Sequence, residues 1–270
     1  MVPDDCVRRA VADPKRTSIP MRIIVNGDDL GVSEAVNGAI FEGMRRGRIT
    51  SATMLANGPA IEAAVRELHL FPKCSFGVHL NLSEFEPVCR NSRKDLASIL
   101  DKNGCFNGNS IREVRIDMSM LRAIFREWCS QIDSLMRLGL KPSHLDAHYH
   151  VHTIPQMLPV LAAIRKRYKI NRVRISRNMY EDFQRPSPVL LAKKRFFNLA
   201  LRAIGFRTTR IFTEFMTFVN LCAQRPPRQK SAELMTHPGS LPRTQEAALL
   251  ESDWPSRFSY EVTLISYNSL

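Results

Sequence analysis

The residues best suited to chemistry in this chain lie in one short stretch, His144-Leu-Asp-Ala-His148-Tyr-His150-Val-His152. Four histidines and one aspartate fall within these nine residues, shortly after the turn sequence Gly139-Leu-Lys-Pro142. Side chains at every second position of an extended backbone point to one side, so these imidazoles can converge on one metal ion or one reacting group. The stretch is internal and flanked by apolar residues. We therefore interpret it as a metal or acid–base site rather than as a solvated loop.

Two adjacent carboxylates, Asp28 and Asp29, follow the short β-branched run Arg22-Ile-Ile-Val25. Neighbouring side chains of an extended chain point in opposite directions, so one carboxylate can ligate a metal while the other acts as a base. The sequence Asn26-Gly-Asp-Asp29 is also good turn chemistry, in which the pair only caps a turn or a helix. Taken alone, the pair leaves both interpretations open.

Two single histidines complete the set of candidate residues. His79 lies in the apolar stretch Ser75-Phe-Gly-Val-His-Leu-Asn-Leu82, where a satisfied core histidine is the alternative interpretation. His237 lies in Met-Thr-His-Pro-Gly, whose proline and glycine can fix the direction of the ring. Neither histidine alone indicates a functional site; each gains weight only together with the other candidate residues.

Short apolar runs alternate with helical patterns along the chain, which indicates parallel strands joined by right-handed crossovers. The number of units favours an α/β fold that is (β/α) barrel-like, an incomplete or distorted TIM-type barrel with parallel strands, over an open sheet. The reactive residues all fall at the ends of predicted strands, His79 within the last part of the third, so we expect them to meet on the carboxyl-terminal rim. The predicted strands cover 22–25, 49–56, 75–82, the residues around Leu145, 172–175, 210–212, 234–236 and 262–267, and the predicted helices cover 33–46, 60–70, 111–138, 154–168 and 187–204.

The domain organisation follows from composition. Residues 1–20 mix charges and prolines and predict a flexible tail, so that the functional start is either Met1 or Met21. Residues 21–270 predict a single α/β barrel domain, because no repeat or linker divides them. The polar and glycine-rich segment 83–110 predicts a long excursion over one face, of the kind that often serves as a lid.

Bulk composition excludes several classes of protein. No apolar run approaches the roughly 18 residues that a bilayer span needs. Six scattered cysteines without a CxxC pair give neither a zinc ribbon nor a disulfide framework, which favours a cytoplasmic location. The net charge of +13 raises the question of nucleic acid, but no recognised binding module accompanies the basic residues. We therefore expect no specific nucleic-acid partner, while attraction to anionic ligands or surfaces remains an alternative.

Taken together, five segments resemble the YdjC-like carbohydrate deacetylases, the family that includes chitooligosaccharide and hopanoid-associated deacetylases. The segments appear in the family's order and are IVNGDDLGVSEAVNGAI, GRITSATMLANGP, FGVHLNL, KPSHLDAHYHVHTIPQ and ELMTHPG. The chain departs from the family's usual Asn-Ala-Asp-Asp-Phe-Gly by reading Asn26-Gly-Asp-Asp-Leu-Gly31, which spares the ionisable groups. Residues 178–230 match least, so the resemblance says little about substrate preference.

The resemblance implies a hydrolase that removes the N-acetyl group from an acetylated amino sugar such as a chitooligosaccharide. It implies that Asp29, His79 and His148 hold one divalent metal ion, that Asp28 is the catalytic base and that His237 is the opposing acid. It points to magnesium, whereas one carboxylate with two imidazoles suits zinc, iron or manganese by ligand type.

The remaining polar residues of these segments have supporting roles in this interpretation. His150 and His152 are expected to orient the ligands, Asp146 to hold a histidine ring or cap a turn, and Arg174 to fix a carboxylate or to lie on the surface.

Two other functions stay open at the level of sequence. One is an amidohydrolase-type metal hydrolase acting on another amide, although its HxH pair normally belongs to the first strand. The other is a non-catalytic protein that binds metal or glycan. The sequence does not fix the oligomeric state, and a homodimer is one alternative.

Overall fold

The computed structural model describes residues 20–108, 110–240 and 244–270. Seven strands build its central sheet. They are β1 (Met21–Leu30), β2 (Ser51–Met54), β3 (Ser75–Leu80), β4 (Leu145–Ala147), β5 (Ile211–Glu214), β6 (Ser231–Thr236) and β7 (Val262–Leu264). The expected tail at residues 1–20 lies outside the described residues except for Pro20, and the prediction of a single domain over 21–270 stays a prediction.

The sheet is parallel throughout and curls into an incomplete barrel. Its strand order is β4-β3-β2-β1-β6-β5, and β7 pairs with the first residues of β1. Between β4 and β5 the contacts are isolated bridges, Leu145 with Val173 and Arg172 with Arg207, so no continuous ladder closes the barrel. The prediction of an incomplete (β/α) barrel with parallel strands is confirmed.

The central strand β1 is buried along most of its length. Ile23, Ile24 and Val25 are inaccessible to solvent, as expected for a parallel strand that is covered on both faces. The strand places Asp28 and Asp29 at its carboxyl-terminal end, between β2 and β6. Charged groups at the buried end of a central strand need partners, which the neighbouring strand ends supply.

Helices connect the strands. The predicted N-cap of the first helix is confirmed, because Ser33 Oγ accepts a hydrogen bond from Val36 N. Asp117 caps the third helix in the same way, which explains why that helix begins after it rather than at Ile111. The helices are α1 (Glu34–Arg45), α2 (Ile61–Glu67), α3 (Met118–Arg137), α4 (Leu158–Tyr168), α5 (Pro188–Ala203), α6 (Phe215–Cys222) and α7 (Thr244–Glu251).

Several predicted bounds differ from the structure. The predicted strand at 172–175 forms only the two isolated bridges, and β7 ends at Leu264 and is followed by a 3-10 turn at Tyr267–Ser269. The two short helices α6 and α7, each of eight residues, were not predicted. No described helix is long and apolar enough to cross a membrane.

The segment 83–110 contains 3-10 turns and no regular strand or α-helix among its described residues. Buried Glu127 on α3 anchors it, because Val88 N and Cys89 N donate to the two carboxylate oxygens at 2.9 and 2.8 Å. The segment brings Glu84 to the carboxyl-terminal rim of the sheet. Its proposed role as a lid stays a prediction.

Candidate metal centre and active site

A cavity of about 690 Å³ opens at the carboxyl-terminal ends of the strands. All five residues that the sequence singled out line this cavity, although they come from four separate parts of the chain. The lining residues are Asp28, Asp29, Val32, His79, Glu84, His148, Tyr149, His150, Met235, His237 and Ser240. The expected meeting of the reactive residues on one rim is therefore what the structure shows.

The backbone at Asp29 explains how two adjacent carboxylates reach one cavity. Asp29 has a φ of 68°, in the left-handed region that residues other than glycine rarely adopt. The pairing of β1 with β2 changes register between Gly27 and Leu30, so regular strand alternation stops there. The expectation that the two side chains point apart assumed an extended chain, and this conformation at Asp29 removes that assumption. Such strain at a non-glycine residue is typical of functional sites.

Asp29, His79 and His148 form a compact group of potential ligands. Asp29 Oδ1 lies 2.8 Å from His148 Nδ1 and 3.2 Å from His79 Nε2, and the two nitrogens are 3.4 Å apart. Asp29 Oδ1 nevertheless has no hydrogen bond of acceptable geometry. One oxygen and two nitrogens that crowd together without bonding well to each other are arranged as ligands of a common ion.

His79 is oriented from behind by Asp146 on β4. Its Nδ1 lies 2.7 Å from Asp146 Oδ1, and because an ionised carboxylate only accepts, Nδ1 carries a hydrogen and Nε2 is the nitrogen that faces Asp29 and could bind a metal. Burial lowers the pKa of His79, but the carboxylates of Asp146 and Asp29 raise it to about 10. The same excess of negative charge favours a divalent cation between Asp29 and the imidazoles.

Asp28, His79 and Asp146 form a second group with suitable ligand atoms. Arg174 Nη1, however, lies 2.6 Å from Asp28 Oδ2 and 2.8 Å from Asp146 Oδ2, so a guanidinium is already the cationic partner of both carboxylates. A second cation there would be repelled at short range. The group that includes Asp29 is therefore the better candidate for a metal.

Arg174 holds Asp28 in a fixed orientation. Its Nη1 and Nη2 donate to the two carboxylate oxygens at 2.6 and 2.7 Å, and Asn26 Nδ2 adds a hydrogen bond of 2.8 Å to Asp28 Oδ1. The guanidinium is fully buried, and its Nε donates to Glu233 Oε1 at 2.7 Å. The expectation that Arg174 fixes a carboxylate is confirmed, and the surface alternative is wrong.

His237 reaches the cavity from the end of β6. Its backbone N–H donates to Glu246 Oε1 at 2.7 Å, and its buried Nδ1 has no hydrogen-bond partner among the described residues. His237 itself lines the cavity, so its ring is within reach of a molecule bound there.

The histidine-rich stretch does not continue as a strand beyond Ala147. Residues His148–Thr153 form a 3-10 turn in which Tyr149 and His150 have φ values of 50° and 55°. The expectation that every second imidazole faces one side therefore fails after His148, since a tight turn rotates successive side chains away from each other. Only His148 of this stretch joins the ligand group.

His152 is buried, whereas His150 is half-buried and lines the cavity without joining the ligand group. His152 Nε2 donates to the backbone oxygen of Arg174 at 3.1 Å, and the His150 ring packs edge-on against Phe212. Burial lowers the pKa of His152 to about 4 and also lowers that of His150. We expected His150 and His152 to orient the metal ligands, but it is Asp146 that orients His79.

Sequence reasoning assigned no role to three residues that bear on the site. Glu84 Oε1 lies 3.6 Å from His148 Nε2, Glu233 supports Arg174, and Asn26 contacts Asp28. A charged residue within the otherwise apolar run of β6 was the only available hint at Glu233. Glu84 sits in an irregular segment, whose course a single sequence does not reveal.

The fold and the site define an incomplete parallel (β/α) barrel with an Asp–His–His group and a buried Asp–Arg pair at its strand ends. The chain belongs to the family described as YdjC-like protein, whose model matches residues 22–260.

Among relatives, the chain is 36% identical over 154 residues to a protein named carbohydrate deacetylase from Geobacillus stearothermophilus, which covers 56% of this chain and 59% of the relative. The carbohydrate deacetylase of Oceanobacillus iheyensis is 30% identical over 224 residues, covering 81% and 86%. For the first relative the match thus spans less than two thirds of its length.

The fold is also similar to that of a solved structure from Enterococcus faecalis, described as a cellobiose-phosphate cleavage protein. The TM-score is 0.73 at 24% sequence identity, over 93% of this chain and 98% of the other. At this identity the likeness concerns the fold alone.

Proposed function

We propose that this protein is a metal-dependent carbohydrate deacetylase that removes the N-acetyl group from an acetylated amino sugar, such as a chitooligosaccharide. The observation that carries the proposal is the Asp29–His79–His148 group beside the Arg174-bound carboxylate of Asp28, in one open cavity. Membership of the YdjC-like family and the names of its relatives support the same activity.

The donor set fits one divalent cation. Asp29 Oδ1, His79 Nε2 and His148 Nδ1 are the ligands that we propose, and three protein ligands leave positions open for water and substrate. The family resemblance points to magnesium, and the two imidazoles also suit zinc or manganese. A cation held there would supply Lewis-acid polarisation of the acetamide carbonyl and would lower the pKa of water.

Asp28 is the proton acceptor in this proposal. Its carboxylate lines the cavity beside the ligand group, and Arg174 and Asn26 fix its orientation from behind. It would take a proton from the water that attacks the acetamide carbon. Proton transfer by a placed group of this kind typically contributes about 10²–10⁴ in rate.

His237 is the proton donor in this proposal. The amine is a poor leaving group until its nitrogen is protonated, so the reaction needs an acid as well as a base. His237 comes from the far end of β6 and lines the same cavity, with its backbone fixed by Glu246. A protonated ring there can donate to the departing nitrogen.

The proposal is tested by measuring acetate release from N-acetylglucosamine oligomers and related acetylated glycans, with the divalent metal varied. We expect metal-dependent acetate release that is lost in His237→Ala, while that variant keeps its metal. Acetate release from non-sugar amides only would favour an amidohydrolase. If the native protein binds the glycan but releases no acetate, it is a binding protein.

The scattered cysteines, of which the five described are free, support our expectation of a cytoplasmic location.

A further inference from the structure

The helix α5 presents an apolar stripe on the side that faces away from the protein. Its inner face buries Phe197, Asn198 and Leu201. Val189, Phe196 and Leu199 have relative exposures of 65%, 71% and 53%, and the exposed Ala192 and Ala203 continue the same line. These five residues follow each other at spacings of three and four, which places them on one side of a helix, opposite the buried face. We call them the α5 stripe.

Phe183, in the 3-10 turn Asp182–Gln184 a few residues before α5, has an exposure of 80%, the highest of any large hydrophobic residue in the described part of the chain. Scattered surface hydrophobics are normal, but the apolar row of the α5 stripe, which includes the exposed Phe196, indicates an interaction surface.

The sequence of α5 and its flanks is strongly basic, although Glu181 and Asp182 directly precede Phe183. Residues 183–210 contain seven basic residues and no acidic residue. Two copies of α5 packed against each other would therefore bring cations against cations, which disfavours a second copy of the chain as the partner. The partner that this surface fits is apolar and anionic at once.

A basic depression of about 600 Å³ lies along one flank of the stripe. Leu199 of the stripe and the guanidinium groups of Arg195, Arg202 and Arg210 line it. No ion pair of Arg195 or Arg210 occurs within the described ranges. Burial and the nearby Arg210 lower the pKa of Arg202, as expected where positive charge is not neutralised.

We propose that α5 is a peripheral membrane-docking helix that lies on an anionic lipid bilayer. Phe183, Val189, Phe196 and Leu199 would enter the boundary between headgroups and acyl chains, and Arg195 and Arg210 would meet lipid phosphates. An apolar stripe flanked by cations is the pattern of helices that lie in the membrane interface. The helix does not need to span the bilayer for this role.

The proposal is tested by cosedimentation of the full chain with vesicles of equal parts phosphatidylglycerol and phosphatidylcholine, compared with phosphatidylcholine alone. We expect binding to the anionic vesicles that weakens with salt. A basic residue at such a surface is worth a factor of about five in the binding constant, so Arg195→Ser and Arg210→Ser should each reduce binding by about that factor.

The apolar contribution is tested by the double variant Phe196→Ser/Leu199→Ser, which should no longer bind the anionic vesicles. Leu70→Ser, which removes a 56% exposed residue outside this surface, is the matched control and should bind normally. Equal binding by the double variant and the control would overturn the proposal. A dimer in light scattering that the double variant dissociates would also overturn it, in favour of a self-interface.

A second measurement does not depend on loss of binding. Trp128 and Trp254 are fully buried, so the emission of a Phe196→Trp variant can be distinguished from theirs. We expect its emission to move to shorter wavelength on addition of anionic vesicles and not on addition of phosphatidylcholine vesicles. An unchanged spectrum with anionic vesicles would exclude entry of the stripe into the bilayer.

Discussion

Arg174 and Asp28 form a bidentate ion pair in the buried wall of the site, with both nitrogen–oxygen distances below 2.8 Å. The same guanidinium contacts Asp146, which orients His79, and Glu233, which accepts the hydrogen bond of the Tyr267 hydroxyl. One cation therefore links the proposed base to the carboxylate behind a proposed metal ligand. Both carboxylates share this positive charge, but Asp28 also accepts two parallel hydrogen bonds from the guanidinium.

Arg174→Lys should lower the rate of acetate release by roughly 10²-fold while the metal content stays near that of the native protein. Lysine keeps the positive charge but cannot make two parallel hydrogen bonds to Asp28, and small losses of orientation are costly in catalysis. Steady-state kinetics and metal analysis on the same preparation check this. Arg172→Lys is the control, because Arg172 Nη2 donates to the backbone oxygen of Asn268 and not to Asp28. Native-like turnover in Arg174→Lys would show that the two parallel hydrogen bonds from Arg174 to Asp28 are not needed for catalysis.

Asp28→Asn and Asp29→Ala should separate metal binding from proton transfer. We expect Asp28→Asn to retain its metal and lose about 10²–10⁴ in rate, because only the proton acceptor is removed. Asp29→Ala and His148→Ala should lose both metal and activity. Metal analysis after dialysis provides the readout, with His69→Ala on an exposed turn as the control. Full metal content in both ligand variants would contradict the proposed ligand set.

His144 should make the protein less stable as the pH falls below 6.5. Burial lowers the pKa of His144 from 6.5 to about 3, with the nearby Arg174 acting in the same direction. Between pH 6.5 and pH 3 the unfolded chain binds a proton at His144 and the folded chain does not. The contribution of His144 to the free energy of unfolding is therefore fully present above pH 6.5 and is lost as the pH falls toward 3. The loss is about 1.4 kcal/mol per pH unit.

The measurement is the free energy of urea unfolding at pH 6.5 and pH 5 for the native protein and for His144→Phe. We expect the difference between the two pH values to be smaller by about 2 kcal/mol in the variant. The exposed His69→Phe should keep the native difference. Equal pH dependence in His144→Phe and the native protein would show that His144 takes up its proton without unfolding.

Gly77→Ala should destabilise the fold, because β3 passes very close to the residue before β4. A Cβ at position 77 would lie 2.6 Å from the His144 ring and 2.7 Å from the His144 backbone oxygen, and the backbone cannot give way cheaply. Overpacking of this kind costs about 1–3 kcal/mol. Gly38→Ala on α1, where a Cβ would meet nothing within 4 Å, is the control and should stabilise by up to about 1 kcal/mol. Thermal unfolding of the two variants should shift in opposite directions.

The parts of the fold that could be predicted are those with a strong local pattern. The buried run of β1 and the N-cap at Ser33 follow from residue types that act within a few positions. Residues 172–175 have the composition of a strand but form only isolated bridges, because pairing depends on partners that are distant in sequence. The short α6 and α7 were missed because a few turns of helix carry little periodicity.

The residues that we propose as reacting groups could be recognised in the sequence, since Asp28, Asp29, His79, His148 and His237 all fall at the ends of predicted strands and all line one cavity. Their arrangement was decided by the tertiary structure. The left-handed backbone at Asp29 directs two adjacent carboxylates toward the same cavity. The turn after Ala147 separates His148 from the other histidines. Arg174, Glu233 and Asp146 meet only when β4, β6 and the segment between β4 and β5 come together. Local residue chemistry determines what a side chain can do, whereas long-range packing determines which side chains do it together.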